Sequence, residues 1–157
     1  MASAEPNAFV LAYEAVDGKS LDRLDVADVT DGVVAAIWQQ VTIMRAHRIA
    51  HRDLRLANIF LGADGQIWMI DFGFSELAAS DLLLANDVAE LMASSSLQIG
   101  PERATAQGLA AVGPVGLRTA LDRLRPWALS GATRTSLGER PGALDALRAA
   151  VAAAAAG

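Results

Sequence analysis

The chain has 157 residues, is 53% hydrophobic, contains no cysteine and carries a formal net charge of −5. This length suits one compact domain with a sizeable core and is short for two. An acidic chain lacks the basic surface that a phosphate backbone attracts, so we exclude nucleic acid as a partner. Because cysteine is absent and only two histidines are present, disulfides, thiolate metal sites and zinc chemistry are excluded as well.

The residue pattern predicts neither a signal peptide nor a membrane-spanning segment. It lacks the charged and then apolar pattern of a signal peptide, and no apolar run reaches the roughly 18 residues that cross a bilayer. We therefore expect a cytoplasmic protein. The C-terminal part is locally basic, because six arginines between Arg118 and Arg148 face only three acidic residues. A solvated helix face is the simpler interpretation, and a membrane-proximal or interaction surface is the alternative.

The first predicted elements are short. We expect residues 1–8 to be disordered and the apolar run at residues 9–13 to form a strand. Residues 17–20 are typical of a turn that closes this strand, so residues 9–21 are predicted to be a strand and a connector.

An amphipathic helix is predicted over residues 30–49. Thr30 and Asp31 are suitable N-caps. The helical spacing of apolar side chains predicts one face packed on a core, formed by Val33, Ile37, Val41 and Met44.

A polar loop and a β-hairpin follow the helix. The polar cluster at residues 51–55 breaks the helical pattern, and the apolar triplet at residues 59–61 comes directly after it. Residues 62–65 are typical of a turn, and residues 67–70 form a second β-prone run. The returning strand of this hairpin therefore delivers Asp71 at its end.

The second half of the chain, residues 81–157, is predicted to be entirely helical. It is rich in alanine and leucine, and its prolines divide it into three or four helices, at positions 101, 114, 126 and 141. The closing run at residues 144–156 is strongly helix-prone and too short to span a membrane.

Three residues of the loop and hairpin are suited to phosphoryl transfer. This reaction needs a group beside the attacking hydroxyl and oxygen ligands that hold Mg²⁺ against the phosphates. Asp53 and Asn58 lie five residues apart on one loop, and the hairpin folds back to bring Asp71 opposite them.

The segments HRDLRLANIFL and IWMIDFG resemble the catalytic loop, hairpin and metal-binding loop of the protein kinase superfamily. This resemblance implies an α+β, mainly α-helical fold, a kinase-like large lobe over residues 9–157. It implies that Asp53 is the catalytic base, that Asn58 and Asp71 bind Mg²⁺, and that Gly73 lets the backbone turn after the metal site.

The resemblance also implies roles for three neighbouring cationic side chains. His51 is expected to be architectural, packed beneath the metal-binding loop. Arg55 stands where many protein kinases have lysine and is expected to touch the transferring phosphate, although the two side chains are not equivalent. Arg52 is expected to pair with an acidic group or to stay solvated.

Upstream, LAYEAVDGKSL is similar to the strand and hinge of protein kinases. On this resemblance Tyr13 takes the gatekeeper position beside the adenine. The backbones of Glu14 and Val16 would then hydrogen-bond the adenine of ATP.

The features that would anchor the ATP phosphates do not occur in the sequence. Kinases use a small-lobe lysine and a glycine-rich loop for this purpose, whereas the one lysine here, Lys19, follows the hinge. We therefore expect either a piece of a longer protein or a lone large lobe, inactive unless a small lobe or a partner supplies these contacts.

The segment after the metal-binding loop is predicted to be short. Pro101 and Glu102 could belong to the Ala-Pro-Glu motif of eukaryotic-type kinases, but they are more simply a helix start. We expect Asp87 to take the part of the aspartate that braces the catalytic loop. Such a short segment is typical of kinase-like families that act on small molecules or lipids.

The C-terminal segment, from LQIGPERATA to LRPWALSGATRTSLGERPGALDALRAAV, resembles a stretch of actinobacterial membrane proteins related to lysylphosphatidylglycerol synthase. In those proteins a cytoplasmic kinase-like domain precedes a transmembrane region. This resemblance implies an attached transmembrane region and a location at the cytoplasmic face of the membrane, where positive residues gather.

Two functional hypotheses follow. The first is the large lobe of an ATP- and Mg²⁺-dependent atypical kinase that transfers phosphate to an unknown hydroxyl acceptor, which could be a small molecule, a lipid or a protein. The second is a pseudokinase-like regulatory or scaffold module of a membrane protein, which keeps Asn58 and Asp71 but transfers no phosphate.

Overall fold

The computed structural model describes residues 15–157. The predicted disordered residues 1–8 and the predicted strand at residues 9–13 lie outside the described part, as do Tyr13 and Glu14. The described fold is α+β and mainly helical, as predicted, with a small antiparallel sheet at one end of a helical body.

The sheet has three strands in the order β1, β2, β3. They are β1 at Gly18–Ser20, β2 at Ile59–Gly62 and β3 at Ile67–Met69. In this antiparallel sheet Lys19 lies opposite Leu61, and Ile59 lies opposite Met69. The β2–β3 hairpin stands where the sequence predicts it.

The turn predicted at residues 17–20 is wrong, because Gly18–Ser20 forms strand β1. A Cβ atom at Gly18 would lie 2.4 Å from the carbonyl oxygen of Leu61. Glycine is therefore needed here for close backbone approach to β2, a use of glycine that turn statistics do not separate from a bend.

Helix α1 spans Asp31–Ala46, and the side chain of Thr30 caps its N-terminus by accepting a hydrogen bond from the Val33 N–H at 3.3 Å. The structure ends the helix before residue 49 because Arg48 adopts a left-handed backbone with φ 57°. Its buried face packs on the core through Val34, Ile37, Trp38, Val41 and Met44.

The second half is helical, as the composition predicts. Its helices are α2 at Asp81–Ile99, α3 at Pro101–Leu121, α4 at Gly131–Gly138 and α5 at Ala143–Ala156. Pro101 is the first residue of α3, so the Pro101-Glu102 pair is a helix start, as predicted. Gly113, with φ 67°, makes a kink in α3 directly before Pro114.

The main core lies between the helices, and α2 is its central element. Eleven of the residues in α2 are buried, and α3 packs on both α2 and α5. No helix among the described residues is long and apolar enough to cross a bilayer. The core includes fully buried side chains from each major helix, such as Ile37, Val88, Met92, Leu117, Leu147 and Val151.

Candidate functional site

The candidate catalytic loop, residues 50–58, is held in place by hydrogen bonds to a buried aspartate. One carboxylate oxygen of Asp87 accepts the backbone N–H of His51 at 2.6 Å, and the other accepts the N–H of Arg52 at 2.8 Å. Asp87 belongs to α2 and is only 3% exposed. The role that the sequence predicts for Asp87, bracing the catalytic loop, is the one that the structure shows.

This brace fixes an unusual backbone conformation. Arg52 adopts φ 69°, in the left-handed region that non-glycine residues rarely occupy. The hydrogen bond that its N–H donates to Asp87 holds it there. Burial raises the pKa of the Asp87 carboxyl above its ordinary value, while the two backbone hydrogen bonds act in the opposite direction.

His51 is fully buried and connects the candidate catalytic loop to the candidate metal-binding loop, residues 71–79. Its Nε2 lies 2.8 Å from the carbonyl oxygen of Ile70, and its ring centroid is 4.5 Å from that of Phe72. A carbonyl oxygen can only accept, so Nε2 carries the proton. Nδ1 is buried and has no partner among the described residues. His51 is thus architectural, as expected.

Asp53 and Asn58 are in direct contact. The Asn58 side-chain N–H₂ donates to the carbonyl oxygen of Asp53 and to its Oδ2, both at 2.8 Å. Arg55 Nε lies 3.1 and 3.2 Å from the two carboxylate oxygens of Asp53. The 18% exposed carboxylate side chain is therefore held in one orientation by two neighbours on its own loop.

Asp71 follows Ile70, whose N–H donates to the carbonyl oxygen of Asn58 at 3.0 Å. This contact brings Asp71 to the same end of the sheet as Asn58. The side chain of Asp71 is exposed, and its backbone is left-handed, with φ 65° and ψ 53°. The three residues selected from the sequence for phosphoryl transfer therefore lie in one region.

The expected role of Gly73 as the turning point of the metal-binding loop is wrong. The left-handed residue is Asp71, and Gly73 lies within the short 3-10 helix Phe72–Phe74 without a positive φ. A Cβ atom at Gly73 would lie 3.5 Å from Asp71 Oδ1, an ordinary contact distance. Asp71 can make the turn because aspartate tolerates this region better than most side chains.

The donor set fits a magnesium ion held with few protein ligands. The side-chain N–H₂ group of Asn58 donates to Asp53. The Oδ1 atom of Asn58 is therefore the side-chain atom left to bind a cation. Among the described residues, no hydrogen bond engages the Asp71 carboxylate, and no three His, Cys, Asp or Glu side chains gather into an all-protein metal site. Magnesium usually binds through one or two carboxylates together with substrate phosphates.

An apolar cleft of about 440 Å³ opens beside Asp71. Of the three residues predicted to contact adenine, Val16 lines this cleft, whereas Tyr13 and Glu14 lie outside the described part. Its volume lies within the usual range of ligand pockets, roughly 300–1,000 Å³. The remaining walls come mostly from the hairpin and the residues after it, including Phe60, Trp68, Met69, Ile70 and Phe72.

Helix α2 contains a second buried carboxylate that was not predicted from the sequence, Glu90, which is 6% exposed. It accepts hydrogen bonds from the N–H and Oγ–H of Ser130, both at 2.8 Å, and from the Thr133 hydroxyl. Glu90 therefore fastens the start of α4 to the helix that carries Asp87. An acidic residue on the apolar face between Val88 and Leu91 was the available signal.

The arginines of the basic C-terminal segment are largely engaged within the molecule. Arg118 donates to the carbonyl oxygen of Ala155 at 2.8 Å, and Arg148 donates to that of Leu124 at 2.7 Å. Such contacts satisfy the carbonyl groups that helix ends leave without partners. Much of the local positive charge is therefore used to join helices.

Arg52, a further cationic side chain of the site, is paired with an acidic residue. Arg52 lies 3.7 Å from the carboxylate of Glu76, in a half-exposed pair. This pairing with an acidic group is one of the two outcomes expected for Arg52. A short backbone bridge between Ala50 and Glu76 ties the same segment to the catalytic loop.

Comparison with known proteins identifies the family. The model of the protein kinase domain matches residues 2–105, which is more than half of the chain. The chain therefore belongs to the protein kinase family and has a kinase-like phosphotransferase fold. The small sheet, the loop braced by Asp87 and the following helices correspond to the large lobe of that fold.

The curated relatives include kinases from several eukaryotes. The chain is 31% identical over 106 residues to the mitogen-activated protein kinase kinase MST7 of Pyricularia oryzae, covering 63% of this chain and 24% of that protein. It is 26% identical over 113 residues to the MAP kinase kinase MKK1/SSP32 of Saccharomyces cerevisiae, covering 66% and 21%. The aligned parts thus span about a quarter or less of these relatives' length.

Proposed function

We propose that this chain is the large lobe of an ATP- and Mg²⁺-dependent kinase that transfers phosphate to a hydroxyl acceptor. The observation that carries the proposal is the joint placement of Asp53, Asn58 and Asp71 around one end of the hairpin. Membership of the protein kinase family supports the same chemistry. These three residues do not determine which acceptor is used.

Asp53 is proposed to receive the proton of the acceptor hydroxyl. Its carboxylate is partly exposed and held by Asn58 and Arg55, so it meets a hydroxyl in a fixed orientation. A positioned group of this kind contributes typically 10²- to 10⁴-fold to a rate. Arg55, two residues further on, is the side chain proposed to face the transferring phosphate.

Asn58 and Asp71 are proposed to hold Mg²⁺, which when bound neutralises charge on the phosphates. Asn58 offers Oδ1, and Asp71 offers an exposed carboxylate. The partly buried hydrogen bond from His51 to Ile70 keeps the segment that leads to Asp71 against the catalytic loop. These residues position one another before any ligand binds.

The apolar cleft beside Asp71 is proposed to receive the adenine of ATP. Val16 lines it, and the backbones of Val16 and Glu14 are proposed to hydrogen-bond the base, with Tyr13 as the gatekeeper. Flat apolar walls such as those of Phe60 and Trp68 suit an aromatic ring system.

The contacts that anchor the α- and β-phosphates are proposed to come from outside residues 15–157. Lys19, the one lysine of the chain, is in β1 and lines a pocket with Ser20 and Arg23 instead of the cleft beside Asp71. A small lobe, provided by a longer protein or by a partner, would supply the missing cation. The present chain alone is then expected to transfer phosphate poorly.

The second candidate function is a pseudokinase-like regulatory or scaffold module. It is favoured by the ion pair of Arg55 with both carboxylate oxygens of Asp53, which occupies the proposed base. The attached transmembrane region remains part of this second candidate only. The basic C-terminal segment gives little support to a transmembrane region, because Arg118 and Arg148 donate hydrogen bonds to carbonyl groups of neighbouring helices.

The test compares Asp53→Asn and Asp71→Asn with the exposed hairpin variant Asp64→Asn as a matched control. We expect Asp71→Asn to abolish the Mg²⁺ dependence of nucleotide binding in calorimetry. Asp53→Asn should keep this binding and lower phosphate transfer at least about 100-fold in a protein that includes the small lobe. Asp64→Asn should change neither.

Each outcome separates the candidates. Transfer that survives both Asp53→Asn and Asp71→Asn would exclude the proposed kinase mechanism. Mg²⁺-dependent nucleotide binding without any transfer by the unsubstituted protein, across hydroxyl acceptors of all three classes, would favour the pseudokinase.

A further inference from the structure

A second cavity lies beside the catalytic loop, and it is polar. It has a volume of about 250 Å³ and lies between the short 3-10 helix Leu56–Asn58, the C-terminal half of α2 and helix α4. It shares no lining residue with the apolar cleft near Asp71. One of its walls is Arg55, the side chain that contacts Asp53.

The charges around this cavity are mostly positive. Arg55 and Arg140 line it, and Asp22 is the acidic residue in its wall. An adjoining pocket of about 440 Å³ shares Asp22 and adds Lys19 and Arg23. Arg55 is already paired with Asp53, so Lys19, Arg23 and Arg140 are the cations that face Asp22 here, in a chain whose net charge is −5. A cleft with one dominant sign of charge concentrates ligands of the opposite sign.

Hydroxyl groups complete the lining. Ser94 of α2 and Thr133 and Ser136 of α4 stand around the same cavity. Ser136 is exposed, and no hydrogen bond engages its hydroxyl among the described residues. The hydroxyl of Ser94 donates to the carbonyl oxygen of Leu91, and that of Thr133 donates to Glu90. Ser136 therefore supplies the hydroxyl that, together with the guanidinium groups, is suited to bind the oxygen atoms of an anion.

Both guanidinium groups are held in place and keep donors to spare. Arg55 uses Nε for Asp53, and Arg140 uses one Nη atom for the carbonyl oxygen of Leu97. A guanidinium group has five N–H donors in a fixed plane, so each retains N–H groups for a ligand. Because Arg55 is only 30% exposed and pairs with Asp53, little of its side-chain entropy remains to be lost when an anion binds.

We propose that this cavity binds an anionic group, a phosphate or a carboxylate, of a small acceptor whose hydroxyl faces Asp53. Its role in catalysis rests on the proposed function. The volume of about 250 Å³ is smaller than that of pockets for drug-sized ligands. The cavity therefore holds one charged end of the acceptor, while the contact of Arg55 with Asp53 places that end near the base.

The same charges disfavour a basic peptide. A cationic side chain in this cavity would meet Arg55 and Arg140 and would be repelled. The short connection between Asp71 and α2, which begins at Asp81, agrees with a small acceptor because it leaves little chain to support an extended peptide.

The experiment titrates the intact 157-residue chain with inorganic phosphate and, separately, with succinate, followed by amide chemical shifts in NMR. Sodium chloride at equal ionic strength is the reference. We expect saturable shifts at Ser94 and Ser136 with a dissociation constant in the millimolar range, weakened at least tenfold in Arg140→Gln. The exposed Arg125, which does not line the cavity, provides the matched control Arg125→Gln, which should bind like the unsubstituted chain.

Arg140 also joins the end of α4 to the end of α2 through the carbonyl oxygen of Leu97. A structural effect of Arg140→Gln would therefore also weaken binding, and a second variant controls for it. Arg140→Lys keeps the charge and a donor for this carbonyl but loses the planar fork. It should bind phosphate with an affinity between those of the unsubstituted chain and Arg140→Gln. Equal weakening in Arg125→Gln and Arg140→Gln would show nonspecific attraction and overturn the proposal.

A parallel titration with Mg²⁺ and ADP separates this inference from the proposed function. Nucleotide-dependent shifts near Asp71 without phosphate-dependent shifts at Ser94 and Ser136 would refute the anion cavity alone. Phosphate-dependent shifts at the serines without any nucleotide-dependent shift would support the anion cavity and count against the proposed function.

Discussion

The catalytic loop at residues 50–58 and the metal-binding loop at residues 71–79 face each other, yet they are built differently. The catalytic loop is anchored from within by buried groups, namely His51, Leu54 and the Asp87 carboxylate beneath it. The metal-binding loop is mostly exposed between Gly73 and Ala78. The proposed base is thus attached to the core, whereas the proposed metal ligand lies on a segment with few buried side chains, joined to the catalytic loop mainly through the backbone of Glu76.

This difference matches what each loop has to do. A base must keep one orientation, and buried hydrogen bonds supply that rigidity. A metal ligand that meets a nucleotide from an open cleft has to remain accessible. Segments with few buried apolar contacts open at low free-energy cost, so ligand binding is the event that would order the second loop.

The largest predicted difference in stability is between two leucine-to-alanine substitutions, one in each loop. Leu54 is fully buried and Leu77 is 75% exposed. Leu54→Ala should lower the free energy of unfolding by about 2–5 kcal/mol, because it leaves a cavity in the core. Leu77→Ala should change it by less than about 0.5 kcal/mol. Urea unfolding followed by circular dichroism measures both, and similar losses would contradict the comparison.

Removal of the brace under the catalytic loop should come next. Asp87→Ala leaves the N–H groups of His51 and Arg52 without their acceptor. A buried unsatisfied donor costs about 1–3 kcal/mol, so we expect a total loss of about 2–4 kcal/mol in the same unfolding assay.

The matched variant Asp87→Asn keeps one acceptor oxygen and should lose less. Hydrogen exchange at the amides of His51 and Arg52 should accelerate most in Asp87→Ala. Unchanged exchange there would mean that other contacts hold the loop.

The left-handed backbone of Asp71 predicts a smaller effect on stability. Asparagine tolerates φ 65° nearly as well as aspartate, whereas alanine loses about 1–2 kcal/mol in this region. Asp71→Ala should therefore unfold more easily than Asp71→Asn by about that amount. Both should lose Mg²⁺-dependent nucleotide binding equally. Equal free energies of unfolding of the two variants would contradict the predicted backbone strain at residue 71.

The local sequence predicts much of this architecture because its chemistry is local. The polar break, the hairpin and the helix-forming second half follow from periodicity and residue type. The brace at Asp87 reaches His51 across 36 residues, and only the resemblance to protein kinases predicts it. The motif also brings Asp53 and Asn58 together, since five residues separate them on one loop.

What the sequence does not reveal depends on partners that are distant in the chain. Glu90 meets Ser130 across 40 residues, and Arg118 meets Ala155 across 37. Such pairings arise only when helices pack. Charge counting therefore predicts that arginines such as Arg118 are exposed, which the structure confirms, but not which carbonyl groups they bind. Likewise, the strand at Gly18 depends on the approach of Leu61, which turn propensity cannot register.

The smallest predicted effect is the pH dependence contributed by Asp87. Burial raises the pKa of its carboxyl above the ordinary value of 3.8. The folded chain then holds this proton at a pH where the unfolded chain has lost it. The stabilising contribution of Asp87 is therefore complete below about pH 3.8 and declines as the pH rises through the raised pKa.

Asp87→Asn does not titrate at this position and provides the reference. The difference in free energy of unfolding between the unsubstituted chain and Asp87→Asn should be larger near pH 3.5 than near pH 7. Effects of the other carboxyl groups largely cancel because both chains share them. A difference that grows with pH would mean that the hydrogen bonds from His51 and Arg52 outweigh burial. The brace would then be strongest as a carboxylate.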